Sequence, residues 1–202
     1  DMPFGSYQAS ADDAVANAAR LLAEGGAQAV KLEGGRSVVD LVARLVSSGI
    51  PVMGHVGLTP QAVNVFGGYR VQGRDIGAAL SLVEDCRALE AAGAFAIVLE
   101  LVPAELAVLA SEELDIPTIG IGAGAGCDGQ VQVFHDICGI GDFVPRHARR
   151  YAEIAAAIEA AIGAYAADVR ARAFPGEEQL THLDVDVLGE LERVLPATDR
   201  EE

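Results

Sequence analysis

Residues 77–114, with the sequence GAALSLVEDCRALEAAGAFAIVLELVPAELAVLASEEL, decide the fold prediction. A helical pattern over Gly77–Ala92 ends at Gly93, an apolar strand pattern follows over Phe95–Glu100, and a second helical pattern covers Ala104–Leu114. A short apolar strand between two helices is typical of a βαβ unit, in which consecutive strands are parallel. We therefore predict an α/β protein.

The same alternation extends on both sides of this unit. Ser10 and Asp13 resemble a capping box, which predicts the start of the first helix. Pattern alone is compatible with both a (β/α)8 barrel and an open doubly wound sheet. The other strand patterns are Ala29–Glu33, Pro51–His55, Thr118–Ile121 and Val131–Phe134, and the other helical patterns are Ala11–Glu24, Ser37–Ser48 and the alanine-rich Ala148–Ala173.

Ionisable residues end three of the predicted strands, namely Glu33, His55 and Glu100. The carboxyl ends of parallel strands lie at one edge of the sheet, where α/β proteins bind their ligands. This edge is therefore the predicted functional site.

Lys31 is the only lysine of the chain and lies inside an apolar strand pattern, two residues before Glu33. A period of two places both side chains on the same face of the strand. A structural Lys–Glu pair is one interpretation. We favour a functional lysine, because burying an ammonium group is costly unless it is paired or used.

Two further candidates have competing interpretations. Glu100 suits proton abstraction at a partly desolvated strand end, but a cap or a salt bridge at the helix after Pro103 is equally compatible. His55 suits a metal ligand, an acid–base group or a hydrogen-bond donor, and a single histidine is weak support for a transition metal.

Two glycine-rich segments are candidate loops. Gly124–Gly129 has the spacing G-x-G-x-x-G, but a strand pattern follows it where a dinucleotide site requires a helix. Gly67–Gly73 is predicted to be a long loop at the site, with Arg70 and Arg74 available to anionic groups.

The 202 residues carry a formal net charge of −16, which argues against nucleic-acid and anionic membrane partners. Three cysteines without a C-x-x-C pair favour a reducing, cytoplasmic location. Many acids with a single lysine favour a halophilic surface over the alternative, an ordinary acidic enzyme with a GC-rich codon bias.

Five phrases carry a resemblance to the ketopantoate hydroxymethyltransferase family: KLEGG (31–35), GHVGLTPQ (54–61), FGGYRVQGR (66–74), VLELVP (98–103) and IPTIGIGAG (116–124). The resemblance runs from Asp1 to about Glu178. It implies a (β/α)8 barrel and Mg²⁺-assisted hydroxymethyl transfer from 5,10-methylenetetrahydrofolate to 3-methyl-2-oxobutanoate through an enolate. The product, 2-dehydropantoate, serves pantothenate and coenzyme A biosynthesis.

The resemblance also implies residue roles. Asp1 matches a metal ligand that contacts the oxo acid, and Glu33 matches a second residue of the metal site. Lys31 and His55 match substrate-binding residues, and Glu100 matches the proton acceptor. It implies a homo-oligomer, for which helices such as Ala148–Ala167 would pack between subunits, and it identifies no residue that holds the pterin.

Two departures accompany the resemblance. The family's G-D-S phrase, which supplies another metal-binding Asp and a substrate-binding Ser, has no counterpart here. The predicted strands and the stub Asp1–Phe4 fall about two and a half βα units short of a barrel. We therefore expect residues 1–176 to form a partial barrel, residues 177–202 an acidic tail, and the chain as it stands to be inactive.

Two alternative functions follow from the same pattern. A Mg²⁺-dependent lyase or mutase of the phosphoenolpyruvate/isocitrate lyase type would use a similar site, although its motif phrases are not found here. A barrel remnant without activity would account for the missing strands, although the joint presence of Lys31, Glu33, His55 and Glu100 argues against it.

Overall fold

Five parallel strands form one sheet in the computed structural model, which describes residues 1–195. The strands lie side by side in chain order, and each pairs with the next one in parallel. This arrangement confirms the predicted α/β fold. The strands are β1 (Val30–Glu33), β2 (Val52–Gly57), β3 (Ala96–Glu100), β4 (Thr118–Ile121) and β5 (Gly129–Gln130).

Helices connect the strands, as the alternation predicts. The first helix begins after Ser10, whose side-chain oxygen accepts a hydrogen bond from the Asp13 backbone N–H at 3.0 Å. Short 3₁₀ turns lie at Arg36–Val38, Pro60–Ala62 and Glu177–Gln179. The α-helices are α1 (Ala11–Ala23), α2 (Val39–Ser47), α3 (Val63–Phe66), α4 (Ile76–Ala91), α5 (Ala104–Glu112), α6 (Phe134–Cys138), α7 (Ile154–Arg170) and α8 (Val185–Val194).

The hydrophobic core lies between one face of the sheet and the helices. Every second residue of β1 and β3 faces it, and Leu32, Ile97 and Leu99 are fully buried there. Helices α2 and α4 pack against β2. Because side chains alternate along a strand, the intervening residues, including Lys31 and Glu100, lie on the opposite face.

Three predicted strands or helices differ from the structure. Strand β2 does not end at His55 as predicted but continues to Gly57, where it is still paired with β3. The strand predicted at Val131–Phe134 is absent, since β5 ends at Gln130 and Phe134 begins α6. Its apolar alternation buries no face, because Val131 and Val133 are about half exposed. The alanine-rich helix begins at Ile154 instead of residue 148, and the segment before it is held by a local turn from the Ala148 N–H to the Pro145 carbonyl.

The chain divides into a unit from Asp1 to Tyr151 and a second unit that begins at Ala152. The second unit contains α7 and α8. The predicted acidic tail, residues 177–202, includes α8, and its residues 196–202 lie outside the described part of the chain. None of the helices described in residues 1–195 is long and apolar enough to cross a membrane.

Candidate active site

A chain of polar contacts joins the predicted site residues at the carboxyl ends of β1, β2 and β3. Asp1 Oδ1 lies 2.9 Å from Lys31 Nζ, which lies 3.3 Å from His55 Nδ1. On the other side of the ring, His55 Nε2 lies 3.1 Å from Glu100 Oε2. Glu33 Oε1 is 3.8 Å from His55 Nδ1, too far for a hydrogen bond. The structure thus brings together all five residues.

Strand register explains this convergence. Glu33 is paired with His55 across β1 and β2, and Gly57 is paired with Glu100 across β2 and β3. Residues two apart share a face, so Lys31 and Glu33 both lie on the side of the sheet that carries the His55 ring. The side chains of Glu33, His55 and Glu100 are 6, 3 and 13% exposed, so charge interactions among them are only weakly screened.

The backbone around Glu100 is tightly constrained. Gly57 has φ +91°, and a Cβ at this position would lie 2.2 Å from the Glu100 carbonyl oxygen, so only glycine fits. The same carbonyl accepts a hydrogen bond from the Leu58 N–H at 2.8 Å. Leu101 follows in the left-handed region at φ 47°, and its carbonyl accepts from the Gln72 N–H. These contacts fix the point at which Glu100 leaves the strand.

The donor pattern assigns one tautomer to His55. The Lys31 ammonium group only donates, so His55 Nδ1 accepts and the ring proton lies on Nε2. That N–H faces Glu100 Oε2 at a short distance, but Nε2 has no well-aligned hydrogen bond. The carboxylate of Glu100 is therefore adjacent to the ring without being locked to it.

Two opposing influences act on the charge of Lys31, since burial disfavours the charged form and two nearby carboxylates favour it. Burial lowers the pKa of the Lys31 ammonium group, and the negative charges of Glu33 and Glu100 act in the opposite direction. The direct partner of Lys31 is Asp1, whose side chain is 55% exposed. The structural Lys31–Glu33 pair that the sequence allowed is thus replaced by a Lys31–Asp1 pair.

Two residues of the site carry no prediction from the sequence. Gln61 donates its backbone N–H to Glu33 Oε2 at 2.8 Å, and its side-chain oxygen accepts from the Tyr7 hydroxyl at 2.8 Å. Burial raises the pKa of the Tyr7 hydroxyl, which keeps it a donor at neutral pH. Gln61 belongs to the GHVGLTPQ phrase, which could have drawn attention to it, whereas Tyr7 belongs to no quoted phrase.

The alternative roles considered for Glu100 do not match its surroundings. Helix α5 begins after Pro103 without a side-chain cap. The described partner of the Glu100 carboxylate is His55, across the sheet edge.

A cavity of about 990 Å³ adjoins the site through Glu33. Its wall includes Tyr7, Gln61 and, from the loop after α3, Gln72. Arg70 and Arg74 lie exposed on the same loop. The loop predicted from the glycines therefore borders the cavity.

The carboxylates of Asp1 and Glu33 are of the ligand type that Mg²⁺ prefers. Within residues 1–195, no three or more His, Cys, Asp or Glu side chains converge into a group suited to hold a metal ion. Two carboxylates complete an octahedral oxygen set when a bound 2-oxo acid and water supply the other oxygens. The donor chemistry of the two residues fits Mg²⁺ on that condition.

Comparison with known proteins identifies the family. The family model for ketopantoate hydroxymethyltransferase matches residues 1–177. The chain belongs to the ketopantoate hydroxymethyltransferase family, a family of transferase enzymes.

Three relatives named 3-methyl-2-oxobutanoate hydroxymethyltransferase show the extent of the similarity. The protein of Dehalococcoides mccartyi strain CBDB1 is 56% identical over 96% of this chain and 70% of its own length. The protein of Anaeromyxobacter dehalogenans strain 2CP-1 is 53% identical over 100% of this chain and 66% of its own length. The protein of Roseiflexus sp. strain RS-1 is 60% identical over 91% of this chain and 66% of its own length. The chain thus spans about two thirds of the length of these relatives.

Among solved structures, a protein of Burkholderia cenocepacia J2315 that is provisionally named a lyase/mutase superposes with a TM-score of 0.44. It is 14% identical, and the match covers 93% of this chain and 66% of that chain. This similarity is too low to define the fold.

Proposed function

We propose that this protein transfers a hydroxymethyl group from 5,10-methylenetetrahydrofolate to 3-methyl-2-oxobutanoate and forms 2-dehydropantoate for pantothenate and coenzyme A biosynthesis. The proposal includes a (β/α)8 barrel, of which β1 to β5 form a part. The observation that supports it best is the continuous line of contacts from Asp1 through Lys31 and His55 to Glu100. The line contains an ammonium group at Lys31 and ends on the carboxylate of Glu100, which supplies the cation and the base that enolisation of an oxo acid requires.

Lys31 is placed to bind the anionic oxygens of the substrate. Its side chain is 24% exposed, so its attraction for a carboxylate is screened less than at the surface. Asp1 and Glu33 would hold Mg²⁺, which as a Lewis acid would stabilise negative charge on the substrate carbonyl oxygen. The cavity beside Glu33 offers room for a second reactant.

Glu100 is the proposed base. Its carboxylate takes the proton from C3 of the oxo acid, and the electrons of the broken C–H bond form the enolate. The enolate carbon then bonds to the methylene carbon of the folate, one of the two carbon–nitrogen bonds of that methylene breaks, and the released nitrogen takes a proton. Water cleaves the remaining carbon–nitrogen bond of the adduct, which releases tetrahydrofolate and leaves the hydroxyl group on the product.

His55 would lie against one oxygen of the base. Its Nε2–H faces Glu100 Oε2, which leaves the other carboxylate oxygen to take the proton. Its Nδ1 faces the Lys31 ammonium group at 3.3 Å. Since the ring is only 3% exposed, this orientation is well fixed by packing.

The test is C3 deuterium exchange of 3-methyl-2-oxobutanoate, followed by NMR in D₂O with Mg²⁺ and without folate. We expect Glu100→Gln to reduce exchange by roughly 10² to 10⁴-fold, the usual contribution of a general base. Glu105→Gln, an exposed position on the next helix, is the matched control and should exchange like the unchanged protein.

Exchange is measured for the 202-residue chain and for the same chain joined to its upstream reading frame. Exchange that persists in Glu100→Gln would exclude Glu100 as the base. If neither form exchanges, turnover with 5,10-methylenetetrahydrofolate is measured next, and its absence would refute the proposed function.

A further inference from the structure

Gln61 connects three separate parts of the candidate active site. Its backbone N–H donates to Glu33 Oε2 at 2.8 Å, and its side-chain Nε2 donates to the Met2 carbonyl at 2.9 Å. Its side-chain oxygen accepts from the Tyr7 hydroxyl at 2.8 Å. One residue of the turn after β2 therefore contacts the end of β1, the segment at Met2 and the segment at Tyr7.

The chemistry of its partners fixes the orientation of the Gln61 amide. A carbonyl only accepts, so the amide atom that faces Met2 is the nitrogen. The Tyr7 hydroxyl accepts from the Glu33 N–H at 3.3 Å and has one proton, which its nearest acceptor, the Gln61 oxygen, receives. Reversing the amide would place its oxygen opposite the Met2 carbonyl and break that hydrogen bond, so the observed orientation is the one that satisfies the Met2 carbonyl.

The residue held by Gln61 is the neighbour of Asp1. Met2 is fully buried, and its N–H donates to the Lys31 carbonyl at 2.9 Å while its carbonyl accepts from Gln61. The Asp1 side chain is more than half exposed, and an ion pair so open to water restrains its partners only weakly. The backbone hydrogen bonds of Met2 are therefore the stronger restraint on Asp1.

We propose that Gln61 is a positioning residue, whose side chain, oriented by Tyr7, holds Asp1 over Lys31 while its backbone holds Glu33. The effect of Gln61 on catalysis rests on the proposed function. The restraint that Gln61 places on Asp1 and Lys31 does not, because it can be measured without substrate. Gln61 acts through these residues and contacts neither Lys31 nor Glu100 in the described hydrogen bonds of residues 1–195.

The test uses the fact that Lys31 is the only lysine. An amine-reactive acetylating reagent labels Lys31, and peptide mapping separates this product from the labelled amino terminus. Gln61→Glu keeps the acceptor for Tyr7 but places an oxygen opposite the Met2 carbonyl, and Tyr7→Phe removes only the hydroxyl. We expect each to raise the labelling rate about tenfold, which corresponds to a local opening that is easier by about 1.4 kcal/mol.

Gln28→Glu is the matched control, since Gln28 is exposed in the loop before β1, and it should label at the unchanged rate. The Km for 3-methyl-2-oxobutanoate in the exchange assay should rise in Gln61→Glu and Tyr7→Phe, with a smaller change in kcat. Circular dichroism verifies that each variant is folded. If Gln61→Glu unfolds, the test relies on Tyr7→Phe, which is the milder change.

Unchanged Lys31 labelling in a folded Tyr7→Phe variant would overturn the positioning role. Faster labelling, with neither exchange nor turnover in the 202-residue chain or in the chain joined to its upstream reading frame, would sustain that role while refuting the proposed function. A purely structural role would lower the unfolding temperature and leave labelling of the folded protein as it is.

Discussion

Lys31 illustrates how a single residue can be assigned a role by its partners. Its side chain is 24% exposed and lies between Asp1 and His55, neither of which is adjacent in sequence. A lysine kept for stability would be an inefficient choice, because replacing a buried ion pair by apolar groups is often neutral or stabilising. The position of Lys31 is better explained by the binding of a ligand than by a contribution to the stability of the fold.

We predict that Lys31→Met raises the Km for the oxo acid by about 10- to 100-fold, since a hydrogen bond to a charged group contributes roughly 1.5–3 kcal/mol. The free energy of unfolding should change by less than about 1 kcal/mol, because the partner Asp1 is solvated by water. Exchange kinetics and urea unfolding measure the two effects.

Lys31→Arg is the matched control for charge. It keeps the positive charge but replaces a compact ammonium by a planar guanidinium, so it should recover only part of the affinity. A large loss of stability in Lys31→Met with an unchanged Km would favour the structural role instead.

For individual residues, the sequence predicted which side chains lie at the candidate site better than it predicted which of them contact each other. Strand ends and period-two spacing were sufficient to group Glu33, His55 and Glu100 at one edge. The contacts of Tyr7 and Gln61 depend on the paths of two loops that meet across more than 50 residues of sequence. No pattern in the neighbouring sequence predicts that these two loops come into contact.

Among the elements, the loop from β4 to β5 is anchored to the start of β4 by the side chain of Asp128. Asp128 Oδ2 accepts hydrogen bonds from the Thr118 N–H at 2.8 Å and the Thr118 hydroxyl at 3.0 Å. The backbone hydrogen bond, followed by that of the hydroxyl, lowers the pKa of the Asp128 carboxyl. The glycine-rich segment is therefore tied to the first residue of β4.

The lowered pKa gives a pH prediction. A carboxyl whose pKa is lower in the folded state stabilises the fold above its unfolded pKa, and this contribution is lost as the pH falls through the folded value. The ordinary value for Asp is 3.8. Asp128→Asn should lower the unfolding temperature at pH 7, and its difference from the unchanged protein should shrink below pH 3.8.

Thermal unfolding at pH 7 and at pH 3 measures this difference. Asp115→Asn provides a carboxyl-to-amide control in the loop before β4. A difference of equal size at both pH values would contradict the assigned hydrogen bonds of the ionised carboxyl.

Element bounds were predictable where burial and pattern agree. β1 and β3 begin within one residue of the prediction and end as predicted, and β4 matches at both ends, because each is apolar and buried. The prediction fails after Gln130, where alternating apolar residues are exposed. Alternation predicts a strand only when a neighbouring element covers one of its faces.

For the whole molecule, the large negative net charge is the dominant feature. Fourteen basic residues face 30 acidic ones, so 16 negative charges are not compensated by a positive charge. Arginines already engage acids on the surface, as in Arg36 with Glu84 and Asp85. The remaining repulsion acts against the folded state.

We predict that the unfolding temperature rises between 0.1 and 1 M KCl, because the screening length falls from about 10 Å to about 3 Å. A variant with three exposed acids neutralised, Glu112→Gln, Glu159→Gln and Glu192→Gln, should be more stable at low salt and less dependent on KCl. An unfolding temperature that is independent of salt in both proteins would refute the halophilic interpretation.

The order of the strands also determines when the site forms during synthesis. Each strand pairs with the one made just before it, so the sheet can grow as the chain leaves the ribosome. Asp1, Lys31, Glu33, His55 and Glu100 all precede β4 and β5 in the chain. The nascent polypeptide therefore carries these five side chains before the last two strands of the sheet are translated.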